Sequence, residues 1–271
     1  MSAAVATRPT DHGFGGVGRF VSDTRAVFIR EISLVLRDPF SVIFSLVQPL
    51  VFLGLFGPLL AGSVDRSVLG GASPLQWFLP GVIVMICLFG TSATGSNLLF
   101  EITLGSYERV LATPLRRSAI LVGRSLKELA PLVVQALLIT LVAIPFGFRF
   151  YPLHVLAGLL LLGVFGVGMG AFSNALAIAA RKREWMFWIV QQSLIFPLLI
   201  LSGMMLPLEA GPGWMQVLGR FNPLTYIVDA ERALFSGTFA DPAILYALVA
   251  AVLTCAVGMW VGIKQVERST T

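Results

Sequence analysis

Apolar residues run through this chain in long blocks with no polar alternation. Six blocks stand out, over residues 41–60, 77–98, 129–148, 153–180, 186–206 and 243–263. A helix needs about 20 apolar residues to cross a bilayer, and each block is at or above that length. The fourth is long enough to tilt or kink. Continuous runs exclude a membrane barrel, whose strands alternate over about ten residues. The pattern predicts an all-α integral membrane protein with six transmembrane helices.

Ahead of the first block the period changes. In "RFVSDTRAVFIREISLVLRDP", Arg19, Ser22, Asp23, Arg30, Ser33 and Arg37 fall on one helical face, and Val21, Phe28, Ile32 and Val35 on another. This predicts an amphipathic interfacial helix over residues 19–38, basic at Arg25, Arg30 and Arg37 and ended by Pro39. The competing reading, that these are the first turns of span one, is opposed by the Asp38-Pro39 break. Residues 1–18 are rich in Gly and Ala without an apolar centre, which predicts a disordered cytoplasmic tail and not a signal peptide. Residues 207–241 are too long for a hairpin, too apolar for a solvated loop and too charged for a span. They predict short external or re-entrant helices between spans five and six. Residues 19–271 thus form a single transmembrane domain. Within the fourth span Gly166 and Gly170 lie one turn apart, a spacing that lets helices approach closely.

Charge sets the orientation. Only 12% of residues are charged, against about 25% in a soluble domain. Of the nineteen Lys and Arg residues, fifteen fall in the N-terminal segment, the 99–128 region, "RKR" at 181–183 and the C-terminal tail. Arg66, Arg149, Arg220 and Arg232 fall on the other side. Cytoplasmic segments collect Lys and Arg, so both termini are expected in the cytoplasm of a multi-pass plasma-membrane protein. The net charge of +5 then describes insertion and contact with the lipid bilayer. No interleaved basic and aromatic platform points to nucleic acid.

Catalytic chemistry has no constellation to occupy. His12 and His154 stand alone, Cys87 and Cys255 sit inside spans, and neither HExxH nor GxSxG occurs. No catalytic residue and no metal site is expected. The span centres carry amides instead of charges: Gln48, Asn97, Gln135, Asn174, Gln191 and Gln192. These either bond between helices or line a path. No GxxxxGK[ST] phosphate loop occurs, so any nucleotide must be held by another chain. Glu101, Tyr107, Glu108, Arg109, Arg116 and Arg117 crowd one window on the cytoplasmic side. Thr113-Pro114 reads as a helix start, so span two should continue, stop near Ala112 and turn into a second helix. The residues leave two readings open, a topogenic loop or a docking surface.

Four pieces, in order, resemble the membrane subunits of ABC-2 type transporters, most of all the daunorubicin-resistance type permeases: the helix ending "RDP", "EITLGSYERVLATPLRRSAILVGR", "QQSLIFPLLILSGMMLPLEAGPGW" and "FNPLTYIVDAERALFSG". The resemblance implies an exporter of amphipathic or hydrophobic compounds. It implies a second copy or a paralogous permease beside this chain, and cytoplasmic ABC ATPase subunits that bind ATP and Mg. The segment at residues 101–124 becomes the coupling segment, with Glu101, Tyr107, Glu108, Arg109, Arg116 and Arg117 as ATPase contacts. Gln48, Asn97, Gln191 and Gln192 become candidates to line the substrate path. Pro223, Tyr226, Asp229 and Arg232 match the external signature. Export of a lipid or lipid-linked glycan is the alternative cargo, and a non-transporting scaffold or sensor partner is the alternative of another class.

Overall fold

The computed structural model describes residues 16–37, 39–63, 73–111 and 117–268. Among these residues the chain forms α-helices and two 3-10 turns, with no strand. The helices are α1 (Gly16–Arg37), α2 (Pro39–Ser45), α3 (Val47–Ser63), α4 (Pro74–Thr103), α5 (Ser106–Leu111) and α6 (Arg117–Lys127). They continue with α7 (Leu129–Ala143), α8 (Pro152–Ala179), α9 (Glu184–Ile200), α10 (Gly213–Phe221), α11 (Pro223–Phe235) and α12 (Pro242–Arg268). Four stretches are long and apolar enough to cross a membrane: Pro74–Thr103, Ser118–Phe146, Pro152–Ala179 and Pro242–Arg268. Two shorter apolar helices, Ile43–Leu59 and Glu184–Ile200, correspond to the first and fifth runs.

Prolines explain where the runs break. A proline ring clashes with the carbonyl four residues back and cannot donate to it. Pro49 faces the Ser45 carbonyl, and α2 stops at Ser45; Pro131 faces that of Lys127, and α6 stops at Lys127. The first apolar run is therefore interrupted at Leu46, and the third is set off from α6 at Glu128. Prolines also start helices, because a missing N–H costs nothing in the first turn. Ser73 Oγ accepts from the Gln76 N–H (3.2 Å) ahead of α4, and Asn222 Oδ1 from the Leu224 N–H (3.0 Å) ahead of α11. Asp241 Oδ1 accepts from the Ala243 N–H (2.8 Å) ahead of α12. Each of the three caps precedes a proline.

Helices α4 and α8 form the centre, with α12 lying along α8, α3 against α4, and α11 wedged among α4, α8 and α12. Phe78, Leu79, Ile83, Leu88, Leu162 and Phe165 fill the space between them. Gly166 faces Cys87 of α4 and Gly170 faces Ser125 of α6, as small residues at that spacing allow. The tightest approach lies on the adjacent face. A Cβ on Gly168 would stand 2.6 Å from the Cys255 Cα of α12, so any side chain there would force the two helices apart. The outward faces of α7, α9 and α12 stay apolar and exposed, as at Leu141, Ile189 and Leu253. Cys87 is buried and Cys255 half-buried, and both are free thiols.

The expected amphipathic helix is α1, which ends at Arg37, just ahead of Asp38-Pro39. Most of the 1–18 tail, and Thr113, Pro114 and Arg116, lie outside the described residues.

Candidate functional site

The charge-rich end of the bundle is built on α1, the end of α4, α5 and α6. Helix α4 runs on to Thr103. Gly105 then takes φ +69°, a left-handed turn natural to glycine, and α5 begins at Ser106. Ser106 Oγ donates to the Glu101 carbonyl at 3.1 Å, and Thr103 Oγ1 to Glu184 Oε1 at 2.8 Å, tying the turn to the start of α9. Helix α6 lies against α1. A Cβ on Gly123 would meet Val27 Cβ at 2.8 Å, so glycine is what lets the two backbones touch.

An ion network crosses that contact. Arg124 Nη2 pairs with Glu101 and stands 3.6 Å from Glu31 Oε1. Lys127 Nζ donates to Glu31 Oε2 at 2.9 Å. Glu31 is only 1% exposed and Arg124 3%. Burial pushes the Glu31 carboxyl up, but Arg124 and Lys127 together outweigh it and hold the group below its usual value. The Arg124 guanidinium also sits 5.8 Å from the centre of the Tyr107 ring. One cation thus joins α1, α4, α5 and α6.

Of the predicted contact residues, Tyr107 faces inward among Leu98, Leu99 and Phe187, where it holds α5. Glu101 is half-buried and committed to Arg124, while Arg109 is exposed. Glu108 and Arg117 fall on α5 and α6, and Arg37 ends α1, but their side chains lie outside the described ones. Arg25 and Arg30 are exposed on α1. Sequence reasoning missed Glu31, Arg124 and Lys127 as a unit. The signal was there: Thr24, Val27 and Glu31 share one stripe of α1, and Arg124 and Lys127 one stripe of α6.

The candidate path residues do not converge on one spot. Asn97 borders a cavity against α4, together with Gln135, whose Nε2 donates to Ser45 Oγ at 2.6 Å. Gln191 is buried and donates to the Ser92 carbonyl at 2.9 Å. Gln48 and Gln192 are exposed on α3 and α9. Asn174 is fully buried between helices.

At the opposite end, α11 caps the end of α9. Asn222 Nδ2 donates to the Leu198 carbonyl at 2.8 Å, and Thr225 Oγ1 to that of Leu201 at 3.0 Å. Arg232 Nη2 donates to the Gly203 carbonyl at 2.8 Å. The guanidinium lies 3.6 Å over the Trp77 ring, and Nη1 stands 3.6 Å from Asp229 Oδ1. Pro223 opens α11, and the Tyr226 hydroxyl donates to the Arg220 carbonyl at 2.7 Å. Gln76 of α4 ties the end of α11 to the connection between α7 and α8, donating to the Phe235 carbonyl and accepting from the Arg149 N–H at 2.9 Å. Glu231, unremarked in the sequence, is fully buried, its carboxyl directed at Gly158 of α8. Burial pushes that carboxyl up to about 8. Among the described residues no group of His, Cys, Asp and Glu could hold a metal ion.

The sequence that builds this bundle has known relatives. Residues 22–236 match the ABC-2 type transporter family, and the chain belongs to it. It is 30% identical over 220 residues to the daunorubicin resistance ABC transporter permease protein DrrB1 of Streptomyces coeruleorubidus, covering 80% of this chain and 76% of that one. The putative transport permease ycf38 of Cyanophora paradoxa is 28% identical over 225 residues, covering 79% and 77%. The probable doxorubicin resistance ABC transporter permease protein DrrC of Mycobacterium tuberculosis is 24% identical over 223 residues, covering 80% and 78%. The chain is a multi-pass membrane permease of the ABC-2 type.

Proposed function

We propose that this chain is the membrane half of an ATP-driven exporter of amphipathic or hydrophobic compounds. All six apolar runs cross the plasma membrane, the first and fifth as the shorter helices, and both termini lie in the cytoplasm. Residues 207–241 close the external side. A second copy or a paralogous permease completes the path, and cytoplasmic ABC ATPase subunits hold ATP and Mg. The exposed amides support the pairing: Gln48 and Gln192 stand on apolar surfaces, where an unpaired amide facing lipid is costly.

The observation that carries this reading is the clamp of Arg124 on Glu31, Glu101 and Tyr107. A docked ATPase can bias the bundle between two packings only if its contact surface moves with the spans. Here α5 and α6 cannot shift without α1 and α4. The coupling contacts lie on residues 101–124, where Arg109 is exposed on α5; Glu108, Arg116 and Arg117 share the segment.

Reversing the charges in a double variant, Glu108→Arg with Arg109→Glu, tests this. Membrane insertion should be intact and ATP-driven efflux lost. Efflux at the wild-type rate with normal ATPase association would sink the coupling role. ATPase stimulation by a compound panel that includes lipid-linked glycans separates the drug-type cargo from the lipid one.

A further inference from the structure

Helix α12 lies along α8, and both finish at the charge-rich end of the bundle, where Ile178 and Val266 share a cluster with Tyr107. Beside their last turns is a recess of about 230 Å³, lined by Ile178, Ala179, Arg181, Lys182, Gln265 and Arg268. Three cations and an amide thus stand around it, and among the described residues no carboxylate lines it. None of these side chains belongs to the Arg124 clamp.

Helix ends explain part of this charge. A helix C-terminus carries about half a negative charge and attracts a cation. Both α8 and α12 end here, at Ala179 and Arg268, so together they call for about one positive charge. The recess offers three. The charges next in sequence cancel, Arg183 and Lys264 against Glu184 and Glu267. A surplus of about two positive charges is left. Ion pairs within the corner can move that surplus but not remove it.

The surplus sits at a definite depth. Helix α8 has 28 residues and α12 has 27, so each is about 40 Å long at about 1.5 Å per residue. A bilayer with its headgroups measures about 40–45 Å, so the ends of two crossing helices lie among lipid phosphates. The exposed face of α12 is ordered to match. Leu253, Val257 and Trp260 are exposed apolar residues, and Lys264 and Arg268 follow them on the same side of the helix. Lys264 Nζ stands 4.1 Å from the centre of the Trp260 ring. Hydrocarbon, indole and cation succeed one another as tail, interface and headgroup do in a bilayer. Gln48 and Gln192, the amides that support pairing with another permease, lie on α3 and α9. This face of α12 is left to lipid.

We infer that the ends of α8 and α12 hold an anionic phospholipid of the cytoplasmic leaflet, as a resident lipid and not as cargo. Arg181, Lys182 and Arg268 take its phosphate, as basic pockets between spans do. Gln265 donates to a neighbouring headgroup oxygen, and one acyl chain lies along Leu253, Val257 and Trp260. The site rests on the proposed topology only for the leaflet it faces.

Trp260 reports on this lipid directly. The full-length chain is placed in phosphatidylcholine liposomes with a minor share of phosphatidylglycerol brominated on its acyl chains, since bromine quenches indole on contact. The Trp260 signal is the difference between the wild type and Trp260→Phe. Brominated phosphatidylglycerol should quench it about threefold more strongly than the same share of brominated phosphatidylcholine. The triple variant Arg181→Gln, Lys182→Gln, Arg268→Gln should bring the two lipids level, and Lys at 181 and 268 in place of Arg should keep the preference. Arg25→Gln with Arg30→Gln, which takes the same kind of charge from α1, should leave it unchanged. Inorganic phosphate at millimolar concentration and matched ionic strength should not displace the lipid. Equal quenching in the wild type, a preference that survives the triple variant, an equal loss from the α1 pair, or displacement by free phosphate would each overturn the site. So would a triple variant that keeps the preference and loses the ATPase, which would hand these cations to that partner. The assay needs neither ATP nor cargo, so its failure leaves the export reading standing, and failed export leaves the lipid site standing.

Discussion

The two ends of this bundle are fastened by different chemistry. At the charge-rich end, side chains bind side chains: Arg124 and Lys127 hold Glu31 and Glu101 across three helices. At the far end, side chains bind backbone: Asn222, Thr225 and Arg232 take carbonyls that α9 releases where it stops. An ionic clamp depends on every member keeping its charge. A carbonyl cap depends on where a helix ends. The first suits a joint that transmits force from a partner, and the second suits a fixed lid that links α11 to α9.

Removing the central cation should give the largest effect. Arg124→Leu strands Glu101 and leaves Glu31 to Lys127 alone, and should destabilise the protein by about 3–5 kcal/mol. Hydrogen exchange should rise in α1 and α6 and stay unchanged in α11. Arg232→Leu is the mirror experiment. It frees carbonyls at residues 203 and 204 and uncovers the Trp77 ring, which should cost about 2–3 kcal/mol. Exchange should then rise at 198–206 and in α11 alone. A rise at both ends from either variant would collapse the distinction.

Acidity should act on the two ends in opposite directions. The Glu31 carboxyl is held below its usual 4.5, so its contribution is present above that value and fades as pH falls through the lowered one. Glu231 is raised from 4.5 to about 8, so its neutral form favours the fold below 4.5 and that advantage is lost as pH rises through about 8. Melting curves of Glu231→Gln should lose a slope of up to about 1.4 kcal/mol per pH unit between those values, while acid sensitivity of α1 persists. The smallest effect is expected at Thr103→Val. It removes one exposed hydrogen bond to Glu184 and should cost about 1 kcal/mol or less, read as a small drop in melting temperature.

Much of this architecture is legible in the chain. Long apolar runs announce spans, and Asp38-Pro39 marks the end of α1. The interruptions after Ser45 and Lys127 follow from Pro49 and Pro131 by counting back four residues. Other features depend on partners distant in sequence. The fifth run stays apolar to Leu206, but its helix stops at Ile200. Gly203 turns there at φ +71°, and α11 supplies donors for the freed carbonyls. Tyr107 reads as an exposed aromatic in a charged segment. Its burial is decided by Arg124, seventeen residues on, and by Phe187 and Val266. Glu128 could be placed at the end of a span, but the cavity it lines requires α2, α4 and α7 to meet in space.

Docking of an ATPase on the charge-rich end is tested most directly by cross-linking in intact membranes. Arg109→Cys and Arg220→Cys each place a thiol at an exposed position, on α5 and α10, at opposite ends of the bundle. With a short bifunctional reagent, the ATPase subunit should be captured at 109 and not at 220. Capture at 220, or none at 109 with the complex intact, would contradict the assignment of the α4–α6 segment as the coupling surface.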